Sequence, residues 1–321
     1  HKKNIFWYMN TPLIKVGFLV SYDWYLLKNA LPLVYAEADM IYLALDKKRL
    51  TWAGNPFSLD EKAFYAMLEY IDTEHKIKIY EDDFFVETLS PMQCEVRERN
   101  LLAKQMGKGG WHIQLDADEY FVDFKSFVNY LKNKSHLLKE GKKGVNIRCF
   151  WIPLFKRTHQ GYFYVNYKNK LPESIAIATN KPVYEYGRVN GHFNILSPFS
   201  ILHDTWARTD GEVWQKIQNW GHKHDFDVQS YFDFWKSINK SNYTQVKNFH
   251  FIKPETWEFL GFIESKNIEE LSQSNLLQSF KIPKWKLRFL NNKNVARVRA
   301  LIDKILNLFK LLEKSPKKCE I

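Results

Sequence analysis

Two rhythms of apolar and polar positions succeed one another along the first 120 residues. Residues 15–21 (KVGFLVS) and 39–46 (DMIYLALD) are apolar runs of the length of buried strands. Between them a short helix is expected over about residues 24–31, ended by Pro32. Ser58 and Glu61 have capping-box spacing, in which the hydroxyl satisfies a first-turn amide and the carboxylate reaches back. The helix they open is expected to run to about residue 71, with Phe64, Leu68 and Ile71 on one face. Residues 76–80 alternate as a third strand. Ser90-Pro91-Met92-Gln93 starts another helix, with proline at its first position. That helix runs to Met106 and stops at Gly107-Lys108-Gly109-Gly110. Residues 111–115 form a fourth strand, which ends in Asp116-Ala117-Asp118-Glu119.

Strands alternating with helices imply right-handed crossovers and a mainly parallel, Rossmann-type α/β sheet flanked by helices. Such sheets bind ligands outside the carboxyl ends of their strands. Two of the expected strands end there in Asp46 and Asp116, and Asp23 stands just beyond a third. After residue 121 the pattern changes. A helix over 123–132 precedes a long strand over 144–153 and shorter β segments at 162–165 and 174–178. A helix over 210–220 carries Val213, Ile217 and Trp220 on one face.

With 321 residues, 45% of them hydrophobic, the chain has material for one large α/β domain with additions, or for two. No apolar run approaches the ~18 residues of a membrane span. The three cysteines, Cys94, Cys149 and Cys319, form no C-x-x-C pair; neither a disulfide framework nor a structural zinc site is expected, and a reducing compartment is. His1-Lys2-Lys3 is followed by no apolar core, so no secretory signal is expected. The net charge of +11 is unevenly distributed. Residues 281–318 carry twelve Lys/Arg against Asp303 and Glu313, a net of +10, while residues 1–280 carry only +2. A nearly neutral body speaks against a nucleic-acid partner.

The strongest chemical signal is Asp116-Ala117-Asp118 at a strand end. Side chains at i and i+2 project from one side, and two carboxylates so close repel unless positive charge lies between them. A divalent cation with oxygen ligands, Mg²⁺ or Mn²⁺, suits that need and would neutralise a leaving phosphate. Gly107–Gly110 is no P-loop, no G-x-G-x-x-G follows the first strand, and no G-x-S-x-G elbow occurs.

This arrangement resembles the GT-A type glycosyltransferases, in particular bacterial enzymes of the family-two kind. The likeness rests on Asp116-Ala117-Asp118, preceded by Arg99-Asn100, and on Val20-Ser21-Tyr22-Asp23. Leu202-His203-Asp204-Thr205-Trp206-Ala207-Arg208, residues 216–222 and Asn248-Phe249-His250 add to it. The resemblance covers roughly residues 14–262. It implies a glycosyltransferase domain there with a GT-A like α/β fold, a Rossmann-type mixed sheet flanked by helices, divided into a nucleotide-binding half (14–121) and an acceptor half (122–262), before a basic helical segment (263–321).

The resemblance also implies roles. Asp116 would touch the ribose or donor sugar and Asp118 the metal, with Glu119 beside them. Asp23 and Asp46 would lie near the base and ribose. Arg97 and Arg99 are candidates for donor oxygens, and Arg208 for the pyrophosphate. A histidine from the second half would complete the metal shell: His203 first, His250 next, with His222 also open. The general base is unassigned among Glu173, Glu185, Asp204, Asp225 and Asp227.

The implied reaction is metal-dependent transfer from a nucleoside-diphosphate sugar to a glycan or lipid-linked acceptor, as in bacterial surface polysaccharide synthesis. Three other readings stay open: a sugar-phosphate nucleotidyltransferase, a glycoside hydrolase with paired carboxylates, and a non-catalytic basic adaptor for a membrane or a nucleic acid. Within the tail, apolar residues recur at helical spacing between Val298 and Leu312, interspersed with lysines. A basic amphipathic helix of this kind suits an anionic membrane surface. The expectation is a cytoplasmic enzyme, peripheral on the inner face of the cell membrane and drawn there through residues 281–318.

Overall fold

The computed structural model describes residues 11–168, 170–220, 224–274 and 282–295, with 297, 298 and 301. Four parallel strands form the frame of the site: β1 (Ile14–Val20), β2 (Met40–Asp46), β3 (Ile77–Asp82) and β4 (Trp111–Asp116). Their order is β4-β1-β2-β3, so β1, buried along its whole length, lies inside the sheet. Three helices connect them: α1 (Leu27–Tyr35), α2 (Glu61–Ile71) and α3 (Pro91–Gln105). Gly17 of β1 lets α3 approach closely, because a Cβ there would lie 2.9 Å from both Leu102 and Met106.

Beyond β4 the sheet turns antiparallel and continues through β8 (Ser174–Thr179), β6 (Val145–Thr158), β7 (Gly161–Asn166) and β10 (Phe259–Glu264). The sheet as a whole is mixed, as expected, with β1–β4 as its parallel frame. A short β5 (Glu119–Phe121) pairs with β9 (Phe193–His203), which also runs parallel to β6. Helix α4 (Phe124–Lys132) packs Phe127, Val128 and Leu131 into the main core. Helices α5 (Asp210–Asn219) and α6 (Val228–Ser237) cover a second, aromatic core built on Phe155, Phe163, Trp206 and Trp235. Two further short helices, α7 (Ile268–Ser272) and α8 (Lys284–Leu290), follow β10.

Several local expectations are corrected. Pro32 does not end the first helix: a 3-10 turn at Trp24–Leu26 leads into α1, which carries Pro32 inside it. An interior proline costs about 3 kcal/mol, and buried Leu27, Leu31 and Val34 offset it. The α2 cap is Asp60, which accepts from the Ala63 amide at 3.0 Å, rather than Ser58. Ser90, Pro91 and Gln93 start α3 as expected, with both capping-box bonds made. Strand β9 is eleven residues long, and residues 200–203 are its last part. Its pairing with β6 shifts register between Leu196 and Ser200, which accommodates Pro198. Cys94 and Cys149 are buried free thiols; Cys319 and His222 lie outside the described residues, as does the tail from 302 onward.

Candidate functional site

A cavity of about 340 Å³ opens at the carboxyl ends of the parallel strands. Its walls include Ser21, Tyr22 and Asp23 after β1, Asp46, Thr51 and Trp52 after β2, and Glu95, Glu98 and Arg99 of α3. Asp116, Ala117 and Asp118 lie among its lining residues, with Arg188, His203 and Lys216 from the second half. The strand-end reading thus places Asp23, Asp46, Asp116 and Asp118 around one cavity.

Each acid of the pair has its own cations. Asp116 Oδ1 accepts from Arg99 Nη2 at 2.9 Å, and Arg188 Nη2 lies 3.0 Å from Oδ2. Asp118 Oδ2 accepts from Arg208 Nη2 and Lys216 Nζ, both at 2.6 Å. Burial opposes ionisation of both carboxyls. Arg99 and Arg188 outweigh it at Asp116, and Lys216 with Arg208 at Asp118, so both pKa values fall below the carboxylate range. The positive charge expected between the two acids is therefore supplied in part by the chain.

Glu119 is fully buried beside them. It accepts from Arg188 Nη2 at 2.6 Å, from Trp151 Nε1 at 2.9 Å and from the Asp116 amide at 3.0 Å. Burial raises its pKa to about 6, against the pull of Arg188. Glu119 thus braces the loop from behind and is absent from the cavity lining.

Sequence reasoning missed Arg188, and it noted the segment that begins at Lys216 without giving that residue a role. Arg188 sits in a turn closed by a Tyr186–Val189 bridge. Asn100 holds that turn by accepting from the Tyr184 amide at 3.0 Å and donating to the Tyr184 carbonyl at 2.9 Å. Gly187 takes φ +52°, which a side chain would resist. The signal available was Arg188 beside a glycine in a turn-rich segment. Lys216 projects from α5, whose Val213 and Ile217 enter the aromatic core. Asn219 of the same helix accepts from Thr51 Oγ1 and from Asn55 Nδ2, both at 2.9 Å, and ties the loop after β2 to the second half. The period that marked α5 as a helix marked only its apolar face.

The remaining candidates separate. Asp46 borders the cavity, but its carboxylate accepts four backbone amides, from Lys48, Leu50, Phe84 and Phe85. It holds two loops together. Arg99 joins the cluster, whereas Arg97 donates to the Asp83 carbonyl at 3.2 Å and is absent from the cavity lining. Arg208 is no open fork for a pyrophosphate. Its three nitrogens donate to the Asp204 carbonyl, Asp23 and Asp118, and it is buried behind the lining.

Among the expected bases, Glu185 and Asp225 are exposed and away from the lining. Asp204 is buried against Tyr120 Oη at 3.2 Å, and burial raises its pKa to about 6. Asp227 caps α6 by accepting from the Ser230 amide. Only Glu173 of the five lines the cavity. Its Oε2 accepts from Trp257 Nε1 at 2.6 Å and from Tyr167 Oη at 3.0 Å, and burial raises its pKa despite those bonds.

The histidines separate as well. The β5–β9 pairing sets His203 opposite Glu119. Its ring stacks on Trp151, with centroids 4.4 Å apart. Nε2 lies 3.7 Å from Asp118 Oδ1. Burial lowers the His203 pKa to about 4, so at neutral pH this approach is not an ion pair, and the imidazole has a lone pair to offer. His250 borders the same cavity, but its Nδ1 accepts from the Ile252 and Lys253 amides at 3.1 and 3.0 Å. In the neutral ring this places the proton on Nε2, the nitrogen that a metal would need.

Asp118 Oδ1 and His203 Nε2, 3.7 Å apart, are the carboxylate oxygen and neutral imidazole that would face a divalent cation here. Among the described residues no group of three or more His, Cys, Asp or Glu is arranged to hold a metal. Such an ion would draw the rest of its shell from water and ligand oxygens. Comparison with protein-family models and with curated proteins gave no match.

Proposed function

We propose that the chain is a glycosyltransferase that takes a sugar from a nucleoside-diphosphate donor. One observation carries the reading: Asp116 and Asp118, at the end of a buried parallel strand, border a cavity together with buried Arg99, Arg188 and Lys216. Acids and cations alternating around one cavity suit a ligand that offers both hydroxyls and phosphate oxygens. Hydroxyls of the ribose or sugar would donate to Asp116 from the exposed side of its carboxylate. The Lys216 ammonium has donors beyond its bond to Asp118 and would meet the diphosphate.

Mg²⁺ or Mn²⁺ on Asp118 and His203 would supply charge neutralisation of the leaving diphosphate. Trp151 holds the His203 ring by stacking, which fixes where Nε2 points.

The acceptor would enter along Trp151, Trp257, Phe251 and His250, an aromatic wall of a kind that suits the apolar faces of sugars. Glu173 stands in that wall and is the acid we assign as general base, taking the proton of the attacking hydroxyl. Trp257 and Tyr167 anchor Oε2 and so orient the carboxylate.

The test is a panel of UDP-, GDP- and CMP-sugars with Mn²⁺, read by thermal shift and by release of nucleotide. A true donor at a hundredfold over its dissociation constant adds about 2.7 kcal/mol of apparent stability. Stabilisation by one base class with slow donor hydrolysis supports the reading. No stabilisation and no hydrolysis by any member of the panel overturns it.

A further inference from the structure

Among the described residues, helix α8 (Lys284–Leu290) is seated on the body through Leu287 and the residue that follows its end. Leu287 is buried, and just after the helix the Asn291 side chain accepts from the Leu196 amide at 2.7 Å and donates to its carbonyl at 2.8 Å. These contacts fix the orientation of the helix against β9. Trp285 and Phe289, one turn apart, remain 70% and 59% exposed. Farther along, Val298 and Leu301 are exposed as well. Lys284, Arg288, Lys293 and Arg297 are exposed around them, and residues 281–301 contain seven Lys/Arg and no acid.

Two large aromatics held toward solvent expose apolar area that a body with ample core has no need to expose. Their surroundings identify the partner. Tryptophan and phenylalanine at i and i+4, flanked along the sequence by cations and by no acid, match an interface with an apolar interior and anionic headgroups. We propose that α8, with Lys293, Arg297, Val298 and Leu301, lies on an anionic membrane surface, with Trp285 and Phe289 at headgroup depth and the flanking Lys and Arg on lipid phosphates. No helix among the described residues is long and apolar enough to cross a membrane, so this contact is peripheral.

The proposal is independent of the glycosyltransferase reading. Along β9, Leu196 at the anchor and His203 at the site are seven residues apart, roughly 23 Å of strand. Variants at α8 therefore leave the cavity residues untouched.

The experiment uses the full chain and co-sedimentation with vesicles of phosphatidylcholine alone or mixed with phosphatidylglycerol, at low and high salt. Binding is expected only with phosphatidylglycerol and should weaken with salt. Removing two charges (Lys284→Gln with Arg288→Gln) should weaken it about thirtyfold, at about 1 kcal/mol per charge. Trp285→Ser with Phe289→Ser should weaken it at least tenfold, with an unchanged thermal melt because both side chains are exposed. Equal sedimentation of the wild type and both variants overturns the proposal, as does equal binding to phosphatidylcholine alone. Self-association of the free chain that the aromatic variant abolishes would assign the face to a second copy and overturn it too. Retention on an RNA column in place of vesicles would do the same.

Discussion

Replacing Arg188 with alanine withdraws one guanidinium from two carboxylates at once. Its Nη2 lies 2.6 Å from Glu119 Oε2 and 3.0 Å from Asp116 Oδ2. Asp116 keeps Arg99, but Glu119 keeps only the Trp151 indole and one amide. Breaking a buried pair from one side costs about 3–5 kcal/mol when the remaining charge must stay. Glu119 has a way out, because burial already lifts its pKa to about 6 and loss of Arg188 lifts it further. A carboxyl whose folded pKa is raised stabilises the fold below its unfolded pKa, and that stability is lost as pH rises through the folded value. The destabilisation of Arg188→Ala relative to wild type should therefore be smallest near about pH 5 and grow toward about pH 8, with a slope of at most about 1.4 kcal/mol per pH unit. Urea denaturation at several pH values, without added metal, measures it. Arg188→Lys should recover part of the loss. A difference that is flat across this range, or below about 1 kcal/mol at the alkaline end, would refute the claim that Arg188 balances a buried Glu119.

Glu173→Gln should lower turnover by about 10²–10⁴ with donor affinity unchanged, as expected for loss of a general base; an unaltered rate would remove it from the mechanism. Asp46→Ala should destabilise by about 1–3 kcal/mol, because four amides lose their acceptor and that of Phe84 is left buried; a denaturation midpoint like the wild type's would argue against that bracing. His203→Ala should weaken Mn²⁺ binding, measured by competition with a chromophoric chelator, whereas His250→Ala should not. The reverse result would move the ligand to His250.

The parallel frame was legible because buried strands are continuous apolar runs and capped helices carry local signals. Ser90, Pro91 and Gln93 announced α3, and each strand-end aspartate pointed to the cavity. Elements whose identity comes from partners were not legible. β9 is broken by Pro198 and holds together through pairing with β5 and β6. α6 is rich in aromatics with weak helix propensity and is fixed by a cap at Asp227 and by Trp235 in the core.

The same division runs through the site. The acids could be found from strand position, but their cations come from a turn and a helix far along the chain. Arg188 and Lys216 lie 72 and 98 residues beyond Asp116 and Asp118 respectively. Arg208 was noticed, but its role depends on being buried against Asp23 and Asp118, which no local pattern expresses.

Isothermal titration of the donor selected from the nucleotide-sugar panel, in Mn²⁺, into wild type and Asp118→Asn tests the central claim most directly. The substitution keeps the side chain's volume and removes the charge that meets Lys216, Arg208 and the proposed cation. Binding should weaken by about thirtyfold or more, some 2 kcal/mol, and lose its dependence on Mn²⁺. Unchanged affinity with unchanged metal dependence would contradict the assignment of Asp118 and, with it, the reading of this cavity as a nucleotide-sugar site.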